Sequence, residues 1–199
     1  MTFAGTVLLT PGAGSNRDHS CLVAIEHALH HAYLVERLDF PYRIAGRRAP
    51  DRAPVLIEHV RKAGAALTER AGVAPDQLVL GGRSMGGRMC SMAVAEGLPA
   101  AGLVLIGYPL HPPGQPEKLR TAHLPAITVP CLFIHGTRDP FATPDELTAT
   151  TATIPGPVTH VWIDGGRHDL KGADARVADL VAGFVTTVLP ALDGPSRDS

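Results

Sequence analysis

Short, continuously apolar runs alternate along this chain with longer segments whose apolar residues recur three and four apart, and this rhythm constrains the fold more than any other feature. Residues 7–10, 33–39, 78–81, 103–106, 131–135 and 159–163 read as strands, most of them lacking the polar alternation of a half-exposed strand. Strands apolar on both sides need cover on both sides, which is the condition of a parallel sheet between two helical layers. In "PVLIEHVRKAGAALTERAG", Pro54 suits a first helical turn, Leu56, Val60, Ala63 and Leu67 form a stripe, and Gly72 suits the stop. Near the end, Val177, Leu180, Val181, Phe184, Val185, Val188 and Leu189 repeat at helical spacing before Pro190, predicting a last helix packed on the sheet. The pattern predicts a three-layer α/β domain over residues 1–192, with about six mainly parallel strands and right-handed crossovers, followed by a disordered tail over 193–199. The longest loop, residues 108–130, has room for at most a short helix around 116–122, so no cap domain is expected.

Composition excludes several classes of partner. With 18 basic and 19 acidic residues among 199, the chain offers no broad field for nucleic acid or an anionic membrane. "MTFAGTVLLT" has no basic region ahead of its short apolar stretch, and no run approaches the roughly 18 residues of a membrane span. A soluble, cytoplasmic protein is the expectation, with the oligomeric state left open. Cys21, Cys90 and Cys131 form no C-x-x-C pair and read as reduced core thiols. His27, His30 and His31 in "EHALHHAY" read as solvated helix residues, and no metal site is expected.

Open parallel sheets bind ligands at the carboxyl ends of their strands. There "LVLGGRSMGGRMCSMAVAEG" runs from strand through glycines to Ser84 and into a helix, the context that gives G-x-S-x-G its meaning. Gly82 and Gly86 stand two residues either side of the serine, where side chains would collide in a sharp turn presenting Ser84 as a nucleophile. A serine attacks an acyl carbon poorly without a base and a group to orient that base. "CLFIHGTRDPFATPDE" is a strand ending in a loop with Asp139, and "HVWIDGGRHDL" a strand ending in a loop with His168. Three strand ends thus offer nucleophile, acid and base in the order Ser84, Asp139, His168, although Asp164 or Asp169 could orient the imidazole instead. His135 and His160 fall in or beside strands and are weaker bases. The Met85 amide is one donor for a developing oxyanion; the other is the Ala13 amide, between Gly12 and Gly14 in "LLTPGAGSNRDHS". The same loop resembles a dinucleotide fingerprint, but Arg17 occupies its third glycine position, and "GGRSMGGR" is not a phosphate loop. No cofactor is required.

The stretches "TPGAGSNRDH", "ERLDFPYR", "GGRSMGGR", "GYPLHPPGQPEKLRTAHL", "HGTRDPF" and "GGRHDL" together resemble the small, lidless α/β-hydrolases related to dienelactone hydrolase, over nearly the whole chain. The resemblance implies the α/β-hydrolase fold without the N-terminal hairpin of larger relatives, Ser84 as nucleophile, Asp139 as acid, His168 as base, and Ala13 with Met85 as oxyanion donors. Pro11 departs from it, standing where these enzymes often carry histidine. The reading is a serine hydrolase acting on a small ester, thioester or lactone. Its alternatives are a silent binding or scaffold module and a serine peptidase. Arg17, Arg83, Arg138 and Arg167 flank the expected site; they either bind an anionic substrate group or pair with Asp18, Asp164 or Asp169 to stiffen loops. Tyr108 is a further candidate for the pocket wall, with burial beneath the loop as its alternative.

Overall fold

The computed structural model describes residues 3–190. Six strands, β1 (Thr6–Thr10), β2 (Leu34–Arg37), β3 (Leu78–Arg83), β4 (Gly102–Ile106), β5 (Cys131–Gly136) and β6 (Val158–Ile163), form one sheet in the order β2-β1-β3-β4-β5-β6. Every pairing is parallel. The four inner strands are buried along their whole length, whereas the edges β2 and β6 are only partly covered.

Alternating strand residues feed two cores. Val7, Leu9, Val79, Val104, Ile106, Leu132 and Ile134 face α1 (Ser20–Leu29) and α6 (Asp174–Val188). Leu8, Leu78, Leu80, Leu103, Leu105 and Phe133 face α3 (Ala53–Ala71), α4 (Met85–Ala95) and α5 (Pro144–Thr151). A short α2 (Pro41–Ile44) precedes α3. This is the three-layer arrangement that period-two side chains of a doubly covered sheet dictate. No separate cap domain is present among the described residues, and none of their helices is long and apolar enough to cross a membrane.

The order of the strands positions the site. From β1 the chain crosses to β2 on one side, then returns to place β3 on the other, so the loops after β1 and β3 diverge onto opposite faces. Such a switch point leaves a crevice at the strand ends.

Local details depart from the sequence reading in three places. The second strand is shorter than 33–39: the Tyr33 amide is taken by the Leu29 carbonyl at 3.1 Å, at the end of the preceding helix, and the ladder with β1 ends at Arg37. Over 116–122, where the sequence allows at most a short helix, the chain forms only turns, at 116–117 and 122–123; a 3₁₀ turn at Leu124–Ala126 follows, anchored by buried Leu124. In α6, Val177, Val181 and Val185 are buried, but Leu180, Phe184 and Val188 instead line a groove of about 850 Å³ with Leu132 and Val161. The three cysteines are buried thiols whose pKa values burial raises to about 11 for Cys21 and about 12 for Cys90 and Cys131. The expected tail over 193–199 lies outside the described residues.

Candidate active site

Ser84 connects β3 to α4 at φ 49° and ψ −119°, a conformation that costs a non-glycine residue on the order of 1–3 kcal/mol. The turn is tight enough that its flanks must be glycine. A Cβ on Gly86 would stand 2.5 Å from the Pro11 carbonyl oxygen, and one on Gly82 would overlap Thr10. Thr10 in turn donates its hydroxyl to the Gly81 carbonyl at 3.0 Å, tying the first strand to the elbow. The strained serine therefore projects from the crevice, its Cβ 3.6 Å from where a Cβ on Gly12 would lie.

Two further loops meet Ser84. Asp139 follows β5 and is buried; His168 follows β6 and is partly exposed. Ser84 Oγ lies 2.9 Å from His168 Nε2, and His168 Nδ1 lies 2.7 Å from Asp139 Oδ2. A carboxylate can only accept, so Nδ1 carries the ring proton and Nε2 presents its lone pair to the serine hydroxyl. The other carboxylate oxygen, Oδ1, accepts the Phe141 amide at 2.9 Å, which fixes its rotation. Asp164 and Asp169 are engaged elsewhere: one accepts the Thr137 hydroxyl at 3.4 Å, the other the Lys171 amide at 3.4 Å.

The Asp139 and His168 loops are built against each other. The Arg138 amide donates to the Gly166 carbonyl at 2.8 Å, and the Gly165 amide to Thr137 Oγ1 at 2.8 Å. They touch so closely at Gly136 that a Cβ there would meet the Gly166 carbonyl carbon at 2.5 Å and the Arg167 oxygen at 2.9 Å. We expect Gly136→Ala to destabilise the protein by about 1–3 kcal/mol, as overpacking does. Separating the loops should also lower kcat/KM about 100-fold, the scale of a 1 Å misplacement. The denaturant midpoint and esterase assays check the two effects.

Several supporting residues carried no signal in the sequence. Arg83, anticipated as a substrate ligand, is buried, and its guanidinium donates to His19 Nε2 and to the His168 carbonyl, each at 2.8 Å. It clamps the His168 backbone and is almost wholly withdrawn from solvent. Burial, and then the Arg83 charge, lowers the His19 pKa and keeps that ring neutral. His135, fully buried below Asp139, donates Nε2–H to the Ala142 carbonyl at 3.1 Å and lies 3.4 Å from Asp139 Oδ2. Phe141 packs on the His168 ring with centroids 4.1 Å apart. Gly107, at φ 58°, brings backbone against the same imidazole, with a Cβ position 3.5 Å from Cε1.

Tyr108 is likewise fully buried and so does not form the pocket wall anticipated for it. Its hydroxyl lies 3.3 Å from His123 Nε2, and the same nitrogen lies 2.8 Å from Ser91 Oγ. Arg88, one turn beyond Ser84, adds positive charge to this cluster. Burial first, and Arg88 second, push the His123 pKa down from 6.5 to about 4. A native ring that refuses a proton the unfolded chain accepts destabilises the fold as pH falls. Stability should therefore decline from pH 6.5 to about 4 and this contribution should level below that, with His123→Gln reducing the slope in urea titrations across the window.

Of the proposed oxyanion donors, Met85 directly follows Ser84, and Ala13 follows Gly12, whose Cβ position lies 3.6 Å from Ser84 Cβ. Among the described residues neither the Ala13 nor the Met85 amide donates a hydrogen bond within the protein. The loop bearing Ala13 is secured by Tyr42, whose hydroxyl donates to the Ala13 carbonyl at 2.7 Å. Arg17, Arg138 and Arg167 are exposed, and none forms an ion pair among the described residues; Asp18 pairs with Arg37 instead, at 2.9 Å.

Comparison with known proteins follows the same lines. The esterase domain of a Rhodothermus marinus protein superposes with a TM-score of 0.71 at 16% identity, over 94% of this chain and 88% of that one. Est1E from Butyrivibrio proteoclasticus gives a TM-score of 0.76 at 14% identity, over 94% and 89%. TT1662 from Thermus thermophilus gives 0.76 at 19%, over 96% and 91%. At these identities the likeness is one of fold. The family described as "Alpha/beta hydrolase domain" matches residues 4–180, spanning β1 to the middle of α6, and the chain belongs to that family.

Proposed function

We propose that the protein is a serine hydrolase that cleaves a small carboxylic ester, thioester or lactone through an acyl-enzyme on Ser84. The observation that carries this reading is the unbroken chain from Ser84 Oγ to His168 Nε2 at 2.9 Å and from His168 Nδ1 to Asp139 Oδ2 at 2.7 Å. His168 takes the serine proton as Oγ attacks the acyl carbon, then gives it to the departing oxygen or sulfur as that bond breaks. Water enters, loses a proton to His168 and releases the acid, restoring the serine. Asp139 holds the imidazole with Nδ1 protonated and stabilises the cation that forms transiently. The Ala13 and Met85 amides receive the oxyanion, each worth on the order of 100-fold in rate. Met85 opens a helix, where unpaired amides gather.

Esterase relatives among the similar structures are consistent with this chemistry. The lack of a cap domain leaves the mouth open, favouring short or protruding acyl groups over long lipids. Within the family we place the chain beside the lidless members related to dienelactone hydrolase, on the stretches quoted above. A fluorophosphonate probe tests the reading: covalent labelling mapped to Ser84, with hydrolysis of short acyl esters, thioesters or lactones, is the expected outcome. An unlabelled, folded protein that turns over none of them would leave a silent binding module.

A further inference from the structure

The base stands in a pocket that its own loop and the acid's loop build together. This cavity, about 490 Å³, is lined by Arg138, Pro140, Arg167, His168 and Asp169. Two of its lining residues, Arg138 and Arg167, immediately precede Asp139 and His168 and are exposed. Their placement is enforced by the backbone, since the Arg138 amide donates to the Gly166 carbonyl and the loops touch at Gly136. Neither guanidinium forms an ion pair with a described carboxylate. The one acidic lining residue, Asp169, gives its Oδ1 to the Lys171 amide. The pocket therefore carries two cations against one anion, with both cations exposed to an incoming group.

Which half of a substrate would sit there follows from the chemistry of the base. A general acid must reach the leaving oxygen to protonate it, so the leaving group departs past the Nε2 edge of the imidazole, in the plane of the ring. The cavity includes His168 but not Ser84, to which the acyl carbon is bonded during the reaction. We infer that the substrate's leaving group bears an oxyanionic substituent, a carboxylate or a phosphate, held between Arg138 and Arg167. This inference rests on the hydrolase reading above. Guanidinium recognises either anion in bidentate fashion, and two of them beside one carboxylate still favour it. Arg17, in the loop after β1, is not among the lining residues and plays no part.

The test compares three esters: para-acetoxybenzoate, whose leaving group is anionic; its neutral methyl ester; and phenyl hydrogen succinate, whose anion lies on the acyl side. Each kcat/KM is divided by the rate constant for hydroxide hydrolysis. The wild type should prefer the anionic leaving group by about tenfold or more. Added salt should erode that preference, because exposed charges are screened. Arg138→Ala/Arg167→Ala should abolish the preference, bringing the corrected rates of the first two esters together. Equal corrected rates for the first two esters, a preference for the acyl-side anion, or an unchanged preference in the double variant would each overturn the inference. Calorimetric binding of para-hydroxybenzoate separates the two readings. If no ester is cleaved yet this anion binds the wild type and not the double variant, the hydrolase reading fails and the anion pocket stands. If esters are cleaved but the anion does not bind, the pocket assignment fails alone.

Discussion

Ser84→Ala is expected to lower kcat on any cleaved ester by on the order of 10⁴–10⁶-fold, with fluorophosphonate labelling lost. His168→Gln should do nearly the same, and the double variant should be little worse than either, because nucleophile and base act in one step rather than contributing separately. The residual rate belongs to the Ala13 and Met85 amides and to binding. The fold should survive, since alanine at φ 49° is no more strained than serine. Ser84→Gly makes the contrast sharper. Glycine adopts positive φ freely, so this variant should be equally inactive but more stable by about 1 kcal/mol, read as a higher denaturant midpoint. Undiminished turnover in Ser84→Ala would remove the acyl-enzyme mechanism altogether.

Asp139→Asn should cost about 10⁴-fold in kcat with the shape of the site unchanged. The reason lies in how the carboxylate is pinned. Its Oδ1 accepts the Phe141 amide at 2.9 Å, so the asparagine oxygen must occupy that position and its NH₂ must face His168. An NH₂ needs an acceptor, which forces the imidazole to deprotonate Nδ1 and protonate Nε2. The nitrogen facing Ser84 then donates where it must accept, and the base is lost without any movement of the backbone. His135, 3.4 Å from Oδ2 and committed to the Ala142 carbonyl, offers no alternative orientation. Circular dichroism and thermal unfolding should match the wild type while steady-state kinetics collapse. Retained activity would mean that another carboxylate orients the ring.

Much of this was legible in advance, for identifiable physical reasons. Continuous apolar runs such as "LVL" before the glycines announce strands covered on both faces, and all six appear near their expected bounds. Gly72 ends α3 at φ 68°, as a helix stop requires. Gly82 and Gly86 flank the elbow because Thr10 and Pro11, at the end of the neighbouring strand, crowd both positions and exclude a Cβ. For Arg83 and Tyr108 the sequence leaves two readings open, because adjacency along the chain does not say which way a side chain turns. One runs inward to His19 and the His168 carbonyl, the other down into the core beside Phe133.

The sequence by itself determined the layered architecture, the strained serine turn and the chain order of Ser84, Asp139 and His168. The first follows from polarity and periodicity over neighbouring residues; the glycines of the turn mark it in the sequence, although the atoms that crowd them come from Thr10 and Pro11. Only the tertiary structure decided that Asp139, rather than Asp164 or Asp169, faces the imidazole, that Arg83 is a buried clamp, and that Arg138 and Arg167 stand free around a pocket. Those outcomes depend on strand order and register, which bring loops distant in sequence to one sheet edge. Order and register are set by burial summed over the whole chain, so no local stretch records them.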